Sequence, residues 1–323
     1  MKMFVPVALA AVAALALTAC GSGSGGSSES TTIGVLLLNG DTYFTSVAKG
    51  VQEANAGGTT IVENYEGDAA KESQAIDNLA ARGVDAIVTS PLDGTASAVA
   101  LERAASSGIS VICYNTCLDE SAREGIISAF VLSDQAGMGE QTGQFAVERL
   151  RNAPPPVRFG VLHCDSFDIC TQRREAFFRT LDDAGIAYEI VAQNEELVVD
   201  KAVPAAEDML TAHPDITALW GANDGATAGL VRAVESSGRA GQVPVFGSDI
   251  TPVLAGYLQA DPPTLLTTTG QDGLATGAKA VEVVRTLLGG GRVEPFVQEV
   301  PVVNYSVDDL PAVQGYLQAN APS

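Results

Sequence analysis

The sequence predicts an α/β protein of two doubly wound lobes. Three observations carry this. Short β-rich runs alternate with longer amphipathic helical patterns along the body of the chain. The strand runs are near-continuously apolar, as expected of strands whose sheet is covered by helices on both faces. The pattern also occurs twice. "IGVLLLNGD" at 33–41 is echoed by "FGVLHCD" at 159–165, "VDAIVTSPLDGT" at 84–95 by "DITALWGANDGAT" at 215–227, and "GISVICYN" at 108–115 by "QVPVFGSD" at 242–249. The order is kept and the offsets run from 126 to 134 residues. A repeat of that length means two similar Rossmann-like lobes rather than a solenoid.

In the first lobe, strands are expected at 33–38, 60–63, 85–89, 109–114 and 126–131. In the second they are expected at 157–162, 187–192, 216–220, 243–247 and 264–268. Helix-length segments include 68–82, 95–107, 134–151, 172–184, 200–212, 223–237 and 272–288. The Pro-rich "NAPPPVR" at 152–158 marks the way into the second lobe's first strand. Trp220 falls inside a strand and reads as core. His163 and His213 have no partner pattern and read as structural or surface residues.

Residues 1–19 read as a secretory signal, with Lys2 followed by the apolar run "FVPVALAAVAALAL". The run is short and Ala-rich for a membrane span, and no second run is long enough to cross a bilayer. It ends in "LTAC", similar to the bacterial lipobox, so Cys20 is expected to be lipidated and to anchor the chain to the membrane. "GSGSGGSSES" then reads as a flexible tether, giving residues 20–31 as anchor and linker. Its Gly21-x-Gly23-x-x-Gly26 string has no strand before it and no helix after it, so no dinucleotide cofactor is expected. The formal net charge is −21, from 39 acidic and 18 basic residues. Such a chain repels phosphate backbones, which argues against nucleic-acid binding.

Five cysteines less Cys20 leave four, spaced as two close pairs: Cys113 with Cys117 and Cys164 with Cys170. In an exported chain they are expected as disulfides. Four cysteines allow three pairings. Local pairing is the expectation, and a bond joining the two pairs is the alternative. A zinc site from all four with His163, or a redox dithiol, lacks the short C-x-x-C spacing, so no metal is expected.

Ligands of open α/β sheets bind at the carboxyl ends of the strands. The first polar residues after each apolar run are Asp41 with Tyr43 and Phe44, then Asp93, Asn115, Asp165 to Arg173, Asn223 with Asp224, Asp249 and Gln271. One Asp after a strand is ordinarily a helix N-cap, Asp93 and Asp224 above all, because helices follow at once. As a set they supply carboxylates, amides, a guanidinium and an aromatic pair. Planar groups making two hydrogen bonds match adjacent hydroxyls, and an aromatic face covers the C–H face of a ring. That is the chemistry of a small polyhydroxylated ligand.

At these residues the chain resembles the type I periplasmic binding proteins of the ribose and galactose class, solute receptors of ABC importers. The similarity runs from about Thr32 to about Asn304. It is strongest in "TAHPDITALWGANDGATAGLVRAV" at 211–234, "VFGSD" at 245–249 and "GQDGLATGAKAVE" at 270–282, with support from "GQFAVERL" and "AARGVDAIVTSPLD". The resemblance implies the periplasmic binding protein-like I fold, two lobes joined by a three-segment hinge near 132–134, 270–273 and 300–304. It places residues 32–132 with 272–302 in the N-terminal lobe and 133–271 with 303–323 in the C-terminal lobe.

By the same resemblance, Asn223, Asp249 and Gln271 match second-lobe and hinge sugar contacts. Arg173 matches the sugar-ligating arginine, Tyr43 and Phe44 match the stacking pair, and Asp41 falls where the family has Asn or Asp. Where sugar binders often carry an Asp-Arg pair, this chain has Asn115-Thr116. The second-lobe aromatic aligns near Leu197, leaving Phe167 of "CDSFDIC" to fill that wall. These departures put simple ribose or glucose specificity in doubt and bring in pentitols, tetritols, deoxysugars, furanoses and cyclitols. The implied partners are a small polar ligand and the permease subunits of an ABC importer, for a monomer that closes on its ligand. A receptor for a sensor or quorum system is the alternative within the same fold. No G-x-S-x-G, P-loop or H-E-x-x-H string occurs, so an enzyme is not expected. Facing carboxylates that hydrolyse glycosides are the remote alternative.

Overall fold

The computed structural model describes residues 30–320, with Met1 and Met3. The expected signal segment, Cys20 and nearly all of the tether lie outside the described residues. The compact body begins at Thr31.

The repeated apolar runs form two six-stranded sheets. The first holds β1 (Thr32–Leu37), β2 (Thr59–Asn64), β3 (Ala86–Thr89), β4 (Ser110–Tyr114), β5 (Ile127–Ser133) and, returning late in the chain, β11 (Val297–Val300). Its order is β11-β5-β4-β3-β1-β2, and every pair is parallel. The second holds β6 (Val157–His163), β7 (Tyr188–Glu195), β8 (Ala218–Gly221), β9 (Val245–Ser248), β10 (Leu265–Gly270) and β12 (Val303–Ser306). Its order, β12-β10-β9-β8-β6-β7, repeats the first, except that β12 runs antiparallel to β10. The inner strands β3, β8 and β9 are buried along their whole length, as continuous apolar runs require. The edge strands β2 and β7 carry the polar residues.

The helices are α1 (Thr42–Ala54), α2 (Ala69–Ala81), α3 (Ala98–Ser106), α4 (Glu120–Arg123), α5 (Gln135–Leu150), α6 (Asp168–Asp183), α7 (Val199–Ala212), α8 (Asp224–Ser236), α9 (Pro252–Leu258), α10 (Gly273–Leu288) and α11 (Leu310–Ala319). Many start on a side-chain cap. Asp41, Asp134, Asn223 and Asp272 each accept a backbone N–H of the following turn, which satisfies donors that have no partner inside the helix. Each sheet is covered on both faces, by α1 and α10 against α2 and α3 in one lobe, and by α5 and α6 against α7, α8 and α9 in the other.

Two helices change lobes. α5 follows β5 of the first sheet but packs on α6, and α10 follows β10 of the second sheet but packs on α1. Both exchanged pairs approach closely through glycine. A Cβ on Gly277 would lie 2.2 Å from the Val47 carbonyl oxygen, and one on Gly139 would lie 2.1 Å from that of Arg173.

Helices α1, α4, α9 and α11 and strands β11 and β12 are absent from the sequence reading. Helix α1 buries Phe44, Val47, Ala48 and Val51, a helical spacing overshadowed by the polar residues at its start. β11 and β12 have four residues each, too few for a period to show. Helix α6 begins at Asp168 rather than 172, so Cys170 and Arg173 both ride on it. Trp220 is fully buried and stacks on Phe177 at 5.6 Å.

Gly277→Val should lower stability by about 1–3 kcal/mol, because the helices cannot close around a side chain there. Gly256→Ala, where an added Cβ meets nothing within 4 Å, should raise stability by about 0.5–1 kcal/mol. Urea unfolding of both variants checks the pair.

Candidate functional site

The carboxyl ends of both sheets face a cleft of about 600 Å³, within the range of small-molecule sites. Asp41, Tyr43, Phe44, Asn115, Phe167, Arg173, Asn223, Asp249 and Gln271 line it. They come from the β1–α1 turn, the end of β4, the start of α6, the β8–α8 turn, the end of β9 and the β10–α10 crossing. Residues 130 or more apart in sequence thereby meet in one volume.

Arg173 is the buried centre of the second lobe's half, at 2 % exposure. Its Nε donates to Gln135 Oε1 at 2.7 Å, and its Nη1 donates to the Ala222 carbonyl and to Asp249 Oδ2, both at 3.1 Å. Gln271 Nε2 donates to the other Asp249 oxygen at 3.1 Å. The row Gln135–Arg173–Asp249–Gln271 therefore ties α5, α6, β9 and the β10–α10 crossing together. Asn223 serves its helix and its neighbour at once. Its Oδ1 accepts from the Ala226 N–H at 2.9 Å, and its Nδ2 donates to the Leu197 carbonyl at 3.0 Å.

The first lobe's half is less charged. Asp41 caps α1 through Oδ1, accepting from the N–H groups of Tyr43 and Phe44. Tyr43 and Phe44 meet edge to face at 5.5 Å, and Phe44 packs in turn on Tyr114 at 5.8 Å. Thr116 is tied to the loop after β3, donating to the Pro91 carbonyl at 2.7 Å beside the Ser90 hydroxyl at 2.8 Å.

Two residues of the cleft stand in the left-handed region, Asn115 at φ 59° and Asp249 at φ 65°. They occupy equivalent places in the repeat, each directly after an inner strand. Strain of this kind collects at functional sites because the surroundings hold it in place. Cys113 and Cys117 flank Asn115 with Cα atoms 5.3 Å apart, and Cys164 and Cys170 lie 5.4 Å apart beneath the Phe167 loop. Both distances suit local disulfides. No cluster of three or more metal-ligating side chains occurs among the described residues.

Desolvation by the cleft walls sets two carboxylates apart. Asp41 and Asp224 are open to solvent within the cleft, yet the protein around them disfavours charge. Asp41 is raised above the ordinary value, chiefly because the cleft walls displace water from around its carboxylate, and Asp224 is pushed up to about 6 by the same desolvation and by the nearby charge of Asp249. Burial likewise pushes the Tyr43 phenol up to about 12.

Asp93 is the exception among the sequence candidates. It lies outside the cleft lining. Its carboxylate accepts from the N–H groups of Thr95 and Ala96 and from the Thr95 hydroxyl, which lowers its pKa. Its partner in the repeat, Asp224, stands in the cleft instead. The difference is local: α8 starts at Asp224 itself, whereas α3 starts only at Ala98, after an extra turn that uses Asp93. Sequence reasoning treated Asp224 as a helix start and missed it. Tyr305, Tyr316 and Asn320 of the C-terminal segment, which also line the cleft, were missed as well. Asp309 and Pro311 at the start of α11 were the available helix signal.

Residues 33–292 match the family model described as a periplasmic binding protein domain. The chain belongs to the periplasmic binding protein family. It is 35% identical over 238 residues to the ABC transporter periplasmic-binding protein YphF of Escherichia coli K12, covering 72% of this chain and 73% of that protein. It is 28% identical over 229 residues to the ribose import binding protein of Bacillus subtilis, covering 69% and 71%. Its fold matches an ABC transporter solute binding protein from Bacillus halodurans C-125 with bound myo-inositol, at TM-score 0.73 and 23% identity over 91% of this chain and 99% of that one. A solute binding protein from Actinobacillus succinogenes 130z with bound D-allose matches at TM-score 0.77 and 24% identity, over 87% and 99%. The family is one of extracytoplasmic binding proteins rather than enzymes, and no helix among the described residues is long and apolar enough to cross a membrane.

The left-handed residues give a direct test of the cleft's backbone. Asn115→Gly should leave stability within about 0.5 kcal/mol of the parent, whereas Asn115→Val should lose at least about 1 kcal/mol, because a β-branched residue resists positive φ. Equilibrium denaturation of the two variants measures it.

Proposed function

We propose that the protein is the solute receptor of an ABC importer and captures a small polyhydroxylated compound between its two lobes. The observation that carries this reading is the convergence of planar hydrogen-bonding groups, Arg173, Asn223, Asp249 and Gln271 from one lobe and Asp41 and Asn115 from the other, on one cleft with the Tyr43–Phe44 pair. Vicinal hydroxyls match such groups, and the ring faces match the C–H side of a sugar or cyclitol. The ribose import, myo-inositol-bound and D-allose-bound relatives support the class without naming the ligand. Asp93 is left out of the proposed ligand set, and Asp224 joins it.

The lobes are taken as residues 32–132 with 272–302 and 133–271 with 303–323. Closing them on the ligand is a hinge motion that draws its free energy from contacts available only when both halves engage. Helix α11 supplies contacts across the mouth. Ser46 of α1 donates to Asn320 Oδ1 at 3.1 Å, and Lys49 reaches the Ala319 carbonyl at 3.4 Å. The exported chain is read as a monomer, lipid-anchored through Cys20, with both close cysteine pairs oxidised.

Thermal unfolding against sugars, polyols and cyclitols tests the ligand class. A micromolar ligand at about 1 mM should add about 4 kcal/mol of stability. Arg173→Ala and Asp249→Ala should each weaken binding by at least about 2 kcal/mol, since each leaves a buried polar partner unpaired. Parental affinity in both variants would sink the site assignment. Intact-mass analysis of protein expressed in a bacterial host tests the covalent reading: a lipid on Cys20 and no alkylatable thiol are expected, with Cys20→Ser released from the membrane.

A further inference from the structure

The cleft's polar groups are unevenly matched. Among the described residues, four carboxylates line it, those of Asp41, Asp224, Asp249 and Asp272, against one guanidinium, Arg173. Arg173 and Asp249 pair with each other, and Asp272 caps α10 through the Ala275 N–H. Asp41 and Asp224 are left with no Lys, Arg or His in salt-bridge range among the described residues.

Hydrogen-bonding capacity leans the same way. The donors Arg173 Nε, Arg173 Nη1, Gln271 Nε2 and Asn223 Nδ2 all have protein acceptors. What remains is a pair of donors, Arg173 Nη2 and the Tyr43 hydroxyl, beside a larger set of acceptors. Asp41 uses only Oδ1 for its cap, the Asp224 carboxylate makes no short side-chain bond, and Gln271 Oε1 is buried with no partner. A group that answers the Asp41 and Asp224 carboxylates donates, and a positive or neutral group suits them better than an anion. An anion would add a like charge in a partly desolvated space.

We propose that the ligand is a polyhydroxylated compound carrying a protonated amine, held between Asp41 of one lobe and Asp224 of the other, and that anionic sugars are rejected. This rests on the polyol reading of the cleft and names its ligand class. An ammonium brings three donors and one positive charge. Placed between carboxylates of opposite lobes, it would also offset their mutual repulsion as the lobes close, so charge capture and closure become one event.

The proposal has a pH signature. Asp224 is faced by Asp41 and Asp249 as like charges, by Arg173 as a counter-charge, and by the Tyr316 phenol. With its pKa at about 6, it takes up a proton below that pH and loses its charge. Affinity for an amine should therefore fall as pH drops below about 6, by at most about tenfold per pH unit for one proton. It should fall again above the pKa of the ligand's own amine. A neutral polyol lacks that alkaline limb.

Calorimetry on the intact exported chain, unfolded and refolded to remove carried-over ligand, would compare matched triplets: glucosamine, glucose and glucuronate; galactosamine, galactose and galacturonate; glucamine, sorbitol and gluconate. In at least one triplet the amine should bind about tenfold or more tighter than its neutral parent, and the carboxylate weakest. Asp224→Asn should erase the preference for the amine, so that amine and neutral parent bind that variant within about threefold of each other. Asp41→Asn should act in the same direction. If ligands bind but in no triplet does the amine bind the unaltered protein tighter than its neutral parent, or a carboxylate is the tightest ligand of all, or Asp224→Asn keeps the preference, the amine proposal falls and the polyol reading stands. If no member of any triplet binds, the polyol reading falls with it.

Discussion

The ion pair between Arg173 and Asp249 holds the cleft together. A buried guanidinium is tolerated only when its donors are satisfied, and each of this one's contacts comes from a different element. Gln135 stands at the start of α5, Ala222 directly follows β8, and Asp249 directly follows β9. The position of Arg173 on α6 is itself set by the close approach of α5, since Gly139 lies against the Arg173 carbonyl. The helix that crosses from the first lobe thus positions the charged centre of the second. Gln135 and Gln271 both sit beside places where the chain passes between lobes, so the hydrogen-bond row that orders the site is anchored at the hinge.

The repeat explains why the halves meet so regularly. Two copies of one strand order, each followed by a helix that packs on the other copy, make each lobe incomplete without its partner's chain. The exchange also demands close helix pairs, because α1 against α10 and α5 against α6 carry much of the packing. Glycine at the contact is the local answer to that demand, Gly50 and Gly277 between α1 and α10 and Gly139 between α5 and α6, as it removes the side chain that would hold the backbones apart.

Most of this was legible in the sequence because inner strands of a parallel sheet must be apolar on both faces. β1, β3, β4, β6, β8 and β9 stand out as runs, and the echoes between 33–41 and 159–165 locate the second copy. Helix α1 was hidden because Asp41, Tyr43 and Phe44 stand out as ligand candidates, although Phe44, Val47 and Val51 also keep a helical spacing. β11 and β12 are short segments at the hinge, and their strand character comes from pairing with β5 and β10 rather than from their own composition. Asp93 and Asp224 are indistinguishable by pattern, since each is an Asp-Gly after an apolar strand. One extra turn before α3 sends the first into a local cap, and the Asp-Gly signal shared by both sites masks it.

The two left-handed residues show how the same backbone problem is solved twice with different chemistry. Asn115 is held by its neighbours: the Cys113–Cys117 pair closes the turn around it, and Thr116 binds the Ser90–Pro91 loop. Asp249 is held by charge and by the sheet, through Arg173, Gln271 and its own N–H to Thr269. Asn tolerates positive φ better than most residues, and Asp nearly as well, because a short polar side chain can hydrogen-bond locally. The first lobe therefore keeps its strained residue neutral, whereas the second places a carboxylate at the same position and neutralises it with Arg173. Among the described residues Arg173 is the one cation lining the cleft, and its charge is taken up in that step. Asp41 and Asp224 are left uncompensated for this reason, and the charge that answers them must arrive with the ligand.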